Sequence, residues 1–228
     1  MKKVYFLPGL GADERLYANI HLDGVEEHYL NWMEPEECKT LAEYALKFVP
    51  LIDPDEPFYL IGTSMGGMMA IELQKHVSPE KMILISTVKT RSELPIHLKT
   101  VARTRLNALF SGSLIQNLSG LIDTVYPWQT LTQRDLFLEM LNNCTPAYLE
   151  FAINACVNWD NQQMPLNFVH LHGSRDPLFP AGRAKGAEII QGGNHFMVYE
   201  MGAVMTERIQ FHLDQPVVKQ VSSSRKRV

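Results

Sequence analysis

Short apolar runs that end at turn-forming residues alternate along this chain with segments in which apolar residues recur at helical spacing. The runs are rich in β-branched, aromatic and aliphatic residues, as is typical of buried strands. They lie at 4–7, 28–32, 58–63, 82–86, 168–172 and 187–190. Helical spacing is found at 41–49, 65–77 and 196–213. This order predicts an α/β fold with a mostly parallel sheet of about six strands, joined by right-handed crossovers that place helices on both faces.

The alternation stops between residues 89 and 164, where the pattern is helical and no strand is indicated. The helical patterns lie at 94–110, 113–122, 132–142 and 146–157. A helical stretch inserted in an α/β chain is typical of a cap or lid over the strand ends. We therefore expect an α/β core formed by 1–88 and 165–214, a helical cap formed by 89–164, and a terminal tail at 215–228.

Composition and charge exclude several classes of protein. The 228 residues are 46% hydrophobic and 20% charged, and no apolar stretch approaches the roughly 18 residues of a membrane span. The tail after Asp214 holds four of the 21 basic side chains and no acid, which leaves 17 basic against 25 acidic residues in 1–214. An acidic body disfavours nucleic acid as a partner, and we expect the polar, basic tail to be frayed.

The first residues and the cysteines indicate a reducing compartment. The apolar run before Pro8 has four residues, too few for the apolar region of a secretory signal peptide. Three cysteines without C-x-x-C spacing predict neither a disulfide framework nor a zinc site. The expectation is a cytoplasmic protein with reduced cysteines, and its oligomeric state is left open.

The turn Gly62-Thr63-Ser64-Met65-Gly66-Gly67 lies between a predicted buried strand and a predicted helix. A strand that stops on a small residue, exposes one serine and enters a helix through glycines has the pattern of a nucleophile elbow. The glycines at 62 and 66 leave room for a strained backbone at Ser64, and the helix directs its positive dipole end to the same place. The alternative is that Ser64 only caps the helix.

A serine hydroxyl needs a base to take its proton, and the base needs a carboxylate to fix its tautomer. Such groups gather at the carboxyl ends of parallel strands, and the order associated with the elbow is Ser, then an acid, then His. Asp176 and His195 lie in strand-end loops in that order, whereas the later His212 falls in the last predicted helix. Each also has a structural alternative, Asp176 as a turn residue before Pro177 and His195 as a residue of a glycine-rich turn.

An oxyanion hole requires two donors held where negative charge develops. The residue after the nucleophile, Met65, supplies one backbone N–H, and the loop after the first strand supplies the other. Leu10 is the simplest choice in that loop, because the glycines at 9 and 11 allow a close approach of the backbone.

The motifs at 62–67, His172-Gly173-Ser174-Arg175-Asp176 and Gly193-Asn194-His195-Phe196 together resemble the α/β-hydrolase superfamily. The resemblance covers nearly the whole chain except the tail and is weakest across 89–164. It implies a serine-nucleophile branch with a Ser64–His195–Asp176 triad and no cofactor or metal. This chain differs from many relatives in having Pro8-Gly9 where they carry His-Gly, and the two antiparallel strands that open many members are expected to be absent.

The expected function is a serine hydrolase that cleaves a small ester, thioester or lactone through an acyl-enzyme. Two alternatives stay open: a non-hydrolytic enzyme on the same fold, for acyl transfer, C–C cleavage or elimination, and a small-molecule receptor with little turnover. The substrate is expected to be set by the 89–164 cap.

Two further motifs have structural interpretations. Gly9-Leu10-Gly11 lacks the third glycine of a dinucleotide fingerprint, because Glu14 stands in its place. His170 and His172 share one face of a strand, where packing is the preferred interpretation over metal binding.

Overall fold

The computed structural model describes residues 1–96, 98–100, 128 and 130–216. The predicted helices over 94–110 and 113–122 lie mostly or wholly outside these residues, and so does nearly all of the predicted tail at 215–228. No helix of the described residues is long and apolar enough to cross a membrane.

Six strands form one parallel sheet, which confirms the predicted fold class. They are β1 (Lys2–Leu7), β2 (Val25–Tyr29), β3 (Phe58–Thr63), β4 (Lys81–Ile85), β5 (Phe168–Gly173) and β6 (Glu188–Ile190). Their order across the sheet is β2-β1-β3-β4-β5-β6. The chain therefore runs from β1 to one edge and returns through β3 toward the other, so the strand order reverses between β1 and β3. Ligands of open α/β sheets bind at the carboxyl ends of the strands beside such a switch point.

Helices pack on both faces of the sheet, as the alternation predicted. They are α1 (Leu41–Leu46), α2 (Met65–Leu73), α3 (Leu131–Asn143), α4 (Pro146–Val157), α5 (Met197–Glu200) and α6 (Gly202–Asp214). Alternate residues of β3 separate the two layers: Leu60 packs with α1, α2 and α4, whereas Ile61 packs with α5 and α6. This division follows from the two-residue period of a strand.

Side-chain caps explain where several helices begin. Thr40 and Thr130 each accept a bond from the backbone N–H three residues later, and the Glu43 and Gln133 side chains return a bond to the cap residue. These reciprocal bonds satisfy N–H groups that a helix start leaves unpaired. The α3 helix lies close to the predicted pattern at 132–142, and α4, which begins at a Thr145 cap without the reciprocal bond, lies close to the pattern at 146–157.

Two predicted elements were wrong in detail. The second strand spans 25–29 rather than 28–32. It lies at the edge of the sheet and carries exposed acidic residues, so its sequence shows no continuous apolar run. The closing helix over 196–213 is broken at Met201, with φ −114° and ψ 38°. A Cβ on Gly202 would lie 2.4 Å from Cβ of Asn19, so the second helix starts at a glycine packed against that residue.

Candidate active site

Ser64 lies in a strained turn between β3 and α2, at the switch point. Its φ of +55° and ψ of −118° are unfavourable for a residue with a side chain. The neighbouring glycines make the turn possible: a Cβ on Gly62 would lie 2.3 Å from the Gly66 carbonyl oxygen, and one on Gly66 would lie 2.1 Å from that of Leu7. The helix therefore packs its backbone directly on β1 and β3, which holds Ser64 at the tip.

The Ser64 side chain makes no capping bond to α2, so the helix-cap alternative is wrong. Its Oγ lies 2.9 Å from Nε2 of His195, and the other ring nitrogen, Nδ1, lies 2.8 Å from Oδ2 of Asp176. A carboxylate only accepts, so Nδ1 carries the proton and Nε2 is free to accept from the serine hydroxyl. The structure thus brings together the three residues that the sequence order selected.

Asp176 is held as an anion in a buried place. Its side chain is 0% exposed. Its other oxygen, Oδ1, accepts the backbone N–H groups of Leu178 and Phe179, both at 2.9 Å. Burial alone would raise the pKa of this carboxyl group, but the charge and hydrogen bond of His195 and the Phe179 N–H outweigh burial and lower the pKa below its ordinary 3.8. Asp176 therefore keeps its charge at neutral pH and can stabilise an imidazolium at His195.

The His195 loop is fixed by close packing against the end of β5. A Cβ on Gly173 would lie 2.3 Å from the Gly193 carbonyl oxygen, and that oxygen accepts the Arg175 N–H at 2.8 Å. Within the loop, Oδ1 of Asn194 accepts the Phe196 N–H at 2.9 Å. These contacts hold the loop of Asp176 beside the loop of His195.

The Gly9–Leu10 peptide, the predicted source of one oxyanion donor, borders the Ser64 turn. A Cβ on Gly9 would lie 3.6 Å from Cβ of Ser64. The Gly9 carbonyl accepts Nε1–H of Trp32 at 2.9 Å and the Ala12 N–H at 3.1 Å. The C=O and N–H of a trans peptide point in opposite directions, so these bonds fix the direction of the Leu10 N–H as well.

The Ser64–Met65 peptide, the predicted source of the other donor, is held in the same way. The Ser64 carbonyl accepts the Thr87 hydroxyl at 2.6 Å and the Gly67 N–H at 3.0 Å. The Met65 N–H of this peptide therefore points away from Thr87. Sequence reasoning did not single out Trp32 or Thr87, because each supports the site through a carbonyl distant in sequence and belongs to no local motif.

A largely apolar cavity of about 420 Å³ opens above Ser64. Ser64, His195, Leu10 and Met65 line it, so the predicted nucleophile, base and oxyanion donors border the same cavity. The remaining lining is aliphatic or aromatic apart from Thr63 and Cys156. Its larger side chains are Leu16, Met68, Leu98, Phe137, Ile153, Val157, Leu178, Phe179 and Phe196. No lysine, arginine, aspartate or glutamate lines the cavity among the residues that the structure describes.

No group of three or more histidine, cysteine or acidic side chains that could hold a metal is found in the described ranges. His170 and His172 lie on one face of β5, as their spacing predicted. Nδ1 of His172 lies 3.2 Å from Nε2 of His170, so a hydrogen bond joins the two rings.

The sheet order, the strained serine turn and the ordered strand-end loops define the α/β-hydrolase fold. Solved structures of this fold superpose on nearly the whole chain. An esterase from Exiguobacterium antarcticum is 15% identical, with a TM-score of 0.71 over 94% of this chain and 92% of that one. An esterase from Thermogutta terrifontis is 14% identical, with a TM-score of 0.69 over 93% and 89%.

A bromoperoxidase from Bacillus anthracis is as similar, at 14% identity with a TM-score of 0.71 over 94% and 92% of the two chains. No protein-family profile and no curated protein matches the sequence. At such low identity the superpositions show the fold, and the function must be argued from the site.

Proposed function

We propose that the protein is a serine hydrolase that cleaves a small, uncharged ester, thioester or lactone through an acyl-enzyme. The observation that carries this proposal is the unbroken hydrogen-bond chain from Ser64 Oγ through His195 to Asp176, with the serine facing an apolar cavity. A nucleophile, an oriented base and a buried anion in this relation are the parts that acyl transfer to serine requires.

In this mechanism Ser64 Oγ attacks the acyl carbon while Nε2 of His195 takes the hydroxyl proton. The substrate oxygen becomes an oxyanion, which accepts hydrogen bonds from the Leu10 and Met65 N–H groups. His195 then gives its proton to the departing alkoxide or thiolate, which leaves the acyl group on Ser64. A water molecule, deprotonated by His195, attacks the acyl carbon, and the proton returns to Ser64 as the carboxylic acid departs.

The cavity supports an apolar substrate. Carboxylate and ammonium groups lose much of their hydration when they are buried, and the described lining offers them no charged partner outside the triad. Phe137 of α3 and Ile153 and Val157 of α4 form part of this lining, and all three lie in the 89–164 insertion. This placement supports the proposal that the insertion is a cap that selects the substrate.

The test is turnover of p-nitrophenyl butyrate by the wild type and by Ser64→Ala. We expect the wild type to release p-nitrophenol and the variant to lose this activity, because no other described group takes the place of the hydroxyl. A p-nitrophenyl ester whose acyl chain ends in a carboxylate should react about 100-fold more slowly in kcat/KM. Equal activity of the Ser64→Ala variant would refute the mechanism, and binding without turnover of an ester, a thioester and a lactone would favour a receptor.

A further inference from the structure

A chain of buried polar side chains leads from the Asp176 turn to the loop after β4, and the proposed mechanism does not use it. Its members are Glu93, Lys89, His170 and His172, none of which is more than 7% exposed. Nζ of Lys89 lies 2.9 Å from Oε1 of Glu93 and 2.9 Å from Nδ1 of His170. Burying an ion pair and two imidazoles requires that each group finds a partner, so the direction of every bond can be worked out.

The donor-to-acceptor direction of these hydrogen bonds follows first from the lysine end. An ammonium group only donates, so Nδ1 of His170 must accept from Lys89, and a neutral His170 then carries its proton on Nε2. That Nε2–H donates to Nδ1 of His172 at 3.2 Å. His172 must in turn carry its proton on Nε2.

The far end gives the same answer independently. Nε2 of His172 lies 2.7 Å from the carbonyl oxygen of Phe179, which only accepts, so this nitrogen must carry a proton. Burial, with the charge of Lys89 as a second cause, lowers the pKa of His170 to about 2, and burial also lowers that of His172, which agrees with two neutral rings. From Lys89 onward, each donor in the series therefore lies on the side away from the Asp176 turn and donates toward it.

The last bond acts on the residue that also holds the proposed catalytic acid. Phe179 donates its N–H to Oδ1 of Asp176 and accepts from His172 through its carbonyl. The same Nε2 atom of His172 lies 3.7 Å from Oδ2 of Asp176, the oxygen that accepts from His195. The chain thus fixes the turn that orients the carboxylate and directs a positive dipole end at it.

We infer that Lys89, acting through His170 and His172, is a positioning residue for Asp176: it locks both histidines in the Nε2–H tautomer so that His172 anchors the Asp176–Phe179 turn. This inference rests on the proposed function for its effect on catalysis, but the tautomers themselves do not depend on any substrate. Loss of the lock removes no side chain that lines the cavity, and it loosens the geometry of the acid and the base.

The first test is the tautomer of each ring in the uniformly ¹⁵N-labelled wild-type protein. Long-range ¹H–¹⁵N spectra distinguish a protonated from an unprotonated ring nitrogen, and His170→Gln and His172→Gln spectra assign the two rings. We expect both rings to be neutral, with the proton on Nε2, within about one unit of pH 7. A proton on Nδ1 of either ring, or a doubly protonated ring, would overturn the inference whatever the activity of the enzyme.

The second test compares His172→Gln with His172→Met, because the two side chains have nearly the same size and only glutamine keeps an N–H donor. We expect His172→Met to lose about 10- to 100-fold in kcat with KM nearly unchanged, and to lose the downfield His195 Nδ1–H resonance in the absence of substrate. His172→Gln should keep the wild-type kcat and the downfield His195 Nδ1–H resonance. Equal behaviour of two folded variants would contradict the inference.

The double variant Lys89→Met, Glu93→Gln addresses the start of the chain without leaving an unpaired buried charge. We expect His170, whose Nδ1 then has no donor, to lose its single tautomer and kcat to fall about tenfold with KM nearly unchanged. Unchanged tautomers in this variant would contradict the role of Lys89. Failure of Ser64→Ala to abolish turnover would instead refute the proposed function and leave the tautomer results unaffected.

Discussion

The Ser64 turn and the Asp176 turn lie at the same end of the sheet but are held by different kinds of interaction. Around Ser64, backbone packs on backbone, because glycines at 62 and 66 let α2 lie directly on β1 and β3. Around Asp176, hydrogen bonds from buried groups fix the carboxylate and the turn that follows it. The first arrangement is sensitive to added atoms, and the second is sensitive to tautomer and charge.

The largest effect is expected on the polar side of this comparison, from Asp176→Asn. Asparagine can still accept the Leu178 and Phe179 N–H groups, but its amide nitrogen would face Nδ1 of His195 and favour the wrong tautomer. We expect kcat to fall by about 10⁴-fold while the protein stays folded. Steady-state kinetics and a thermal melt check this result, with the exposed Asp55→Asn as the matched control. If the activity of Asp176→Asn stays within about tenfold of the wild type, Asp176 is not part of the triad.

Gly66→Ala tests the packed side. The new Cβ would lie 2.1 Å from the Leu7 carbonyl oxygen, so α2 must shift away from β1. We expect a loss of about 1–3 kcal/mol in the free energy of unfolding and a fall of about 100-fold in kcat, because the shift moves Ser64. Gly182→Ala is the control, since a Cβ there meets nothing within 4 Å. Similar melting temperatures and rates for both alanine variants would show that the turn tolerates added atoms.

Because His170 is buried near the Asp176 turn, we expect the free energy of unfolding to depend on pH. Its pKa is about 2 in the folded protein, against an ordinary 6.5, because of burial, the charge of Lys89 and the neighbouring His172. A lowered pKa means that the unfolded chain binds the proton first, so this contribution is complete above pH 6.5 and is lost as the pH falls toward 2.

Between pH 6.5 and 5 the loss should be about 2 kcal/mol. Urea unfolding at several pH values measures it in the wild type and in His170→Gln, where this part of the decline should disappear. Identical pH dependence in the two proteins would contradict the assignment of a neutral buried His170.

The smallest effect is expected at Thr87, the side chain that fixes the Ser64 carbonyl. Thr87→Val keeps the shape and removes the hydroxyl donor, whereas Thr87→Ser keeps the donor. Loss of one hydrogen bond is worth about 1 kcal/mol, so kcat should fall roughly fivefold in the valine variant alone. If the serine variant were impaired as much as the valine variant, packing against Gly67 rather than the hydrogen bond would be the function of Thr87.

The same comparison explains what could be predicted from the sequence. The Ser64 turn is encoded locally, because its glycines and serine stand within six positions and their spacing alone predicts the strained turn that is found. The order of Asp176 and His195 after it identified the partners that lie beside it. The six-strand parallel sheet followed from the alternation of apolar runs and helical spacing.

The supports of the site could not be predicted, because they join residues far apart in sequence. Trp32 bonds to the carbonyl of Gly9, and Lys89 to His170 across 81 positions. Gly202, where the helix resumes after the break at Met201, packs against Asn19, which is distant in sequence. Each of these contacts is made by a single side chain, so no repeating pattern in the sequence indicates it.

The central claim is that Ser64 is a nucleophile activated by His195 and Asp176, and covalent labelling by a fluorophosphonate tests it most directly. The hydroxyl oxygen of an activated serine bonds to phosphorus and fluoride leaves, so the adduct is measured by mass spectrometry of the peptide that contains residue 64. We expect stoichiometric labelling of that peptide in the wild type, none in Ser64→Ala, and much slower labelling in Asp176→Asn. A folded wild-type protein that stays unlabelled, or is labelled equally in Ser64→Ala, would contradict the account.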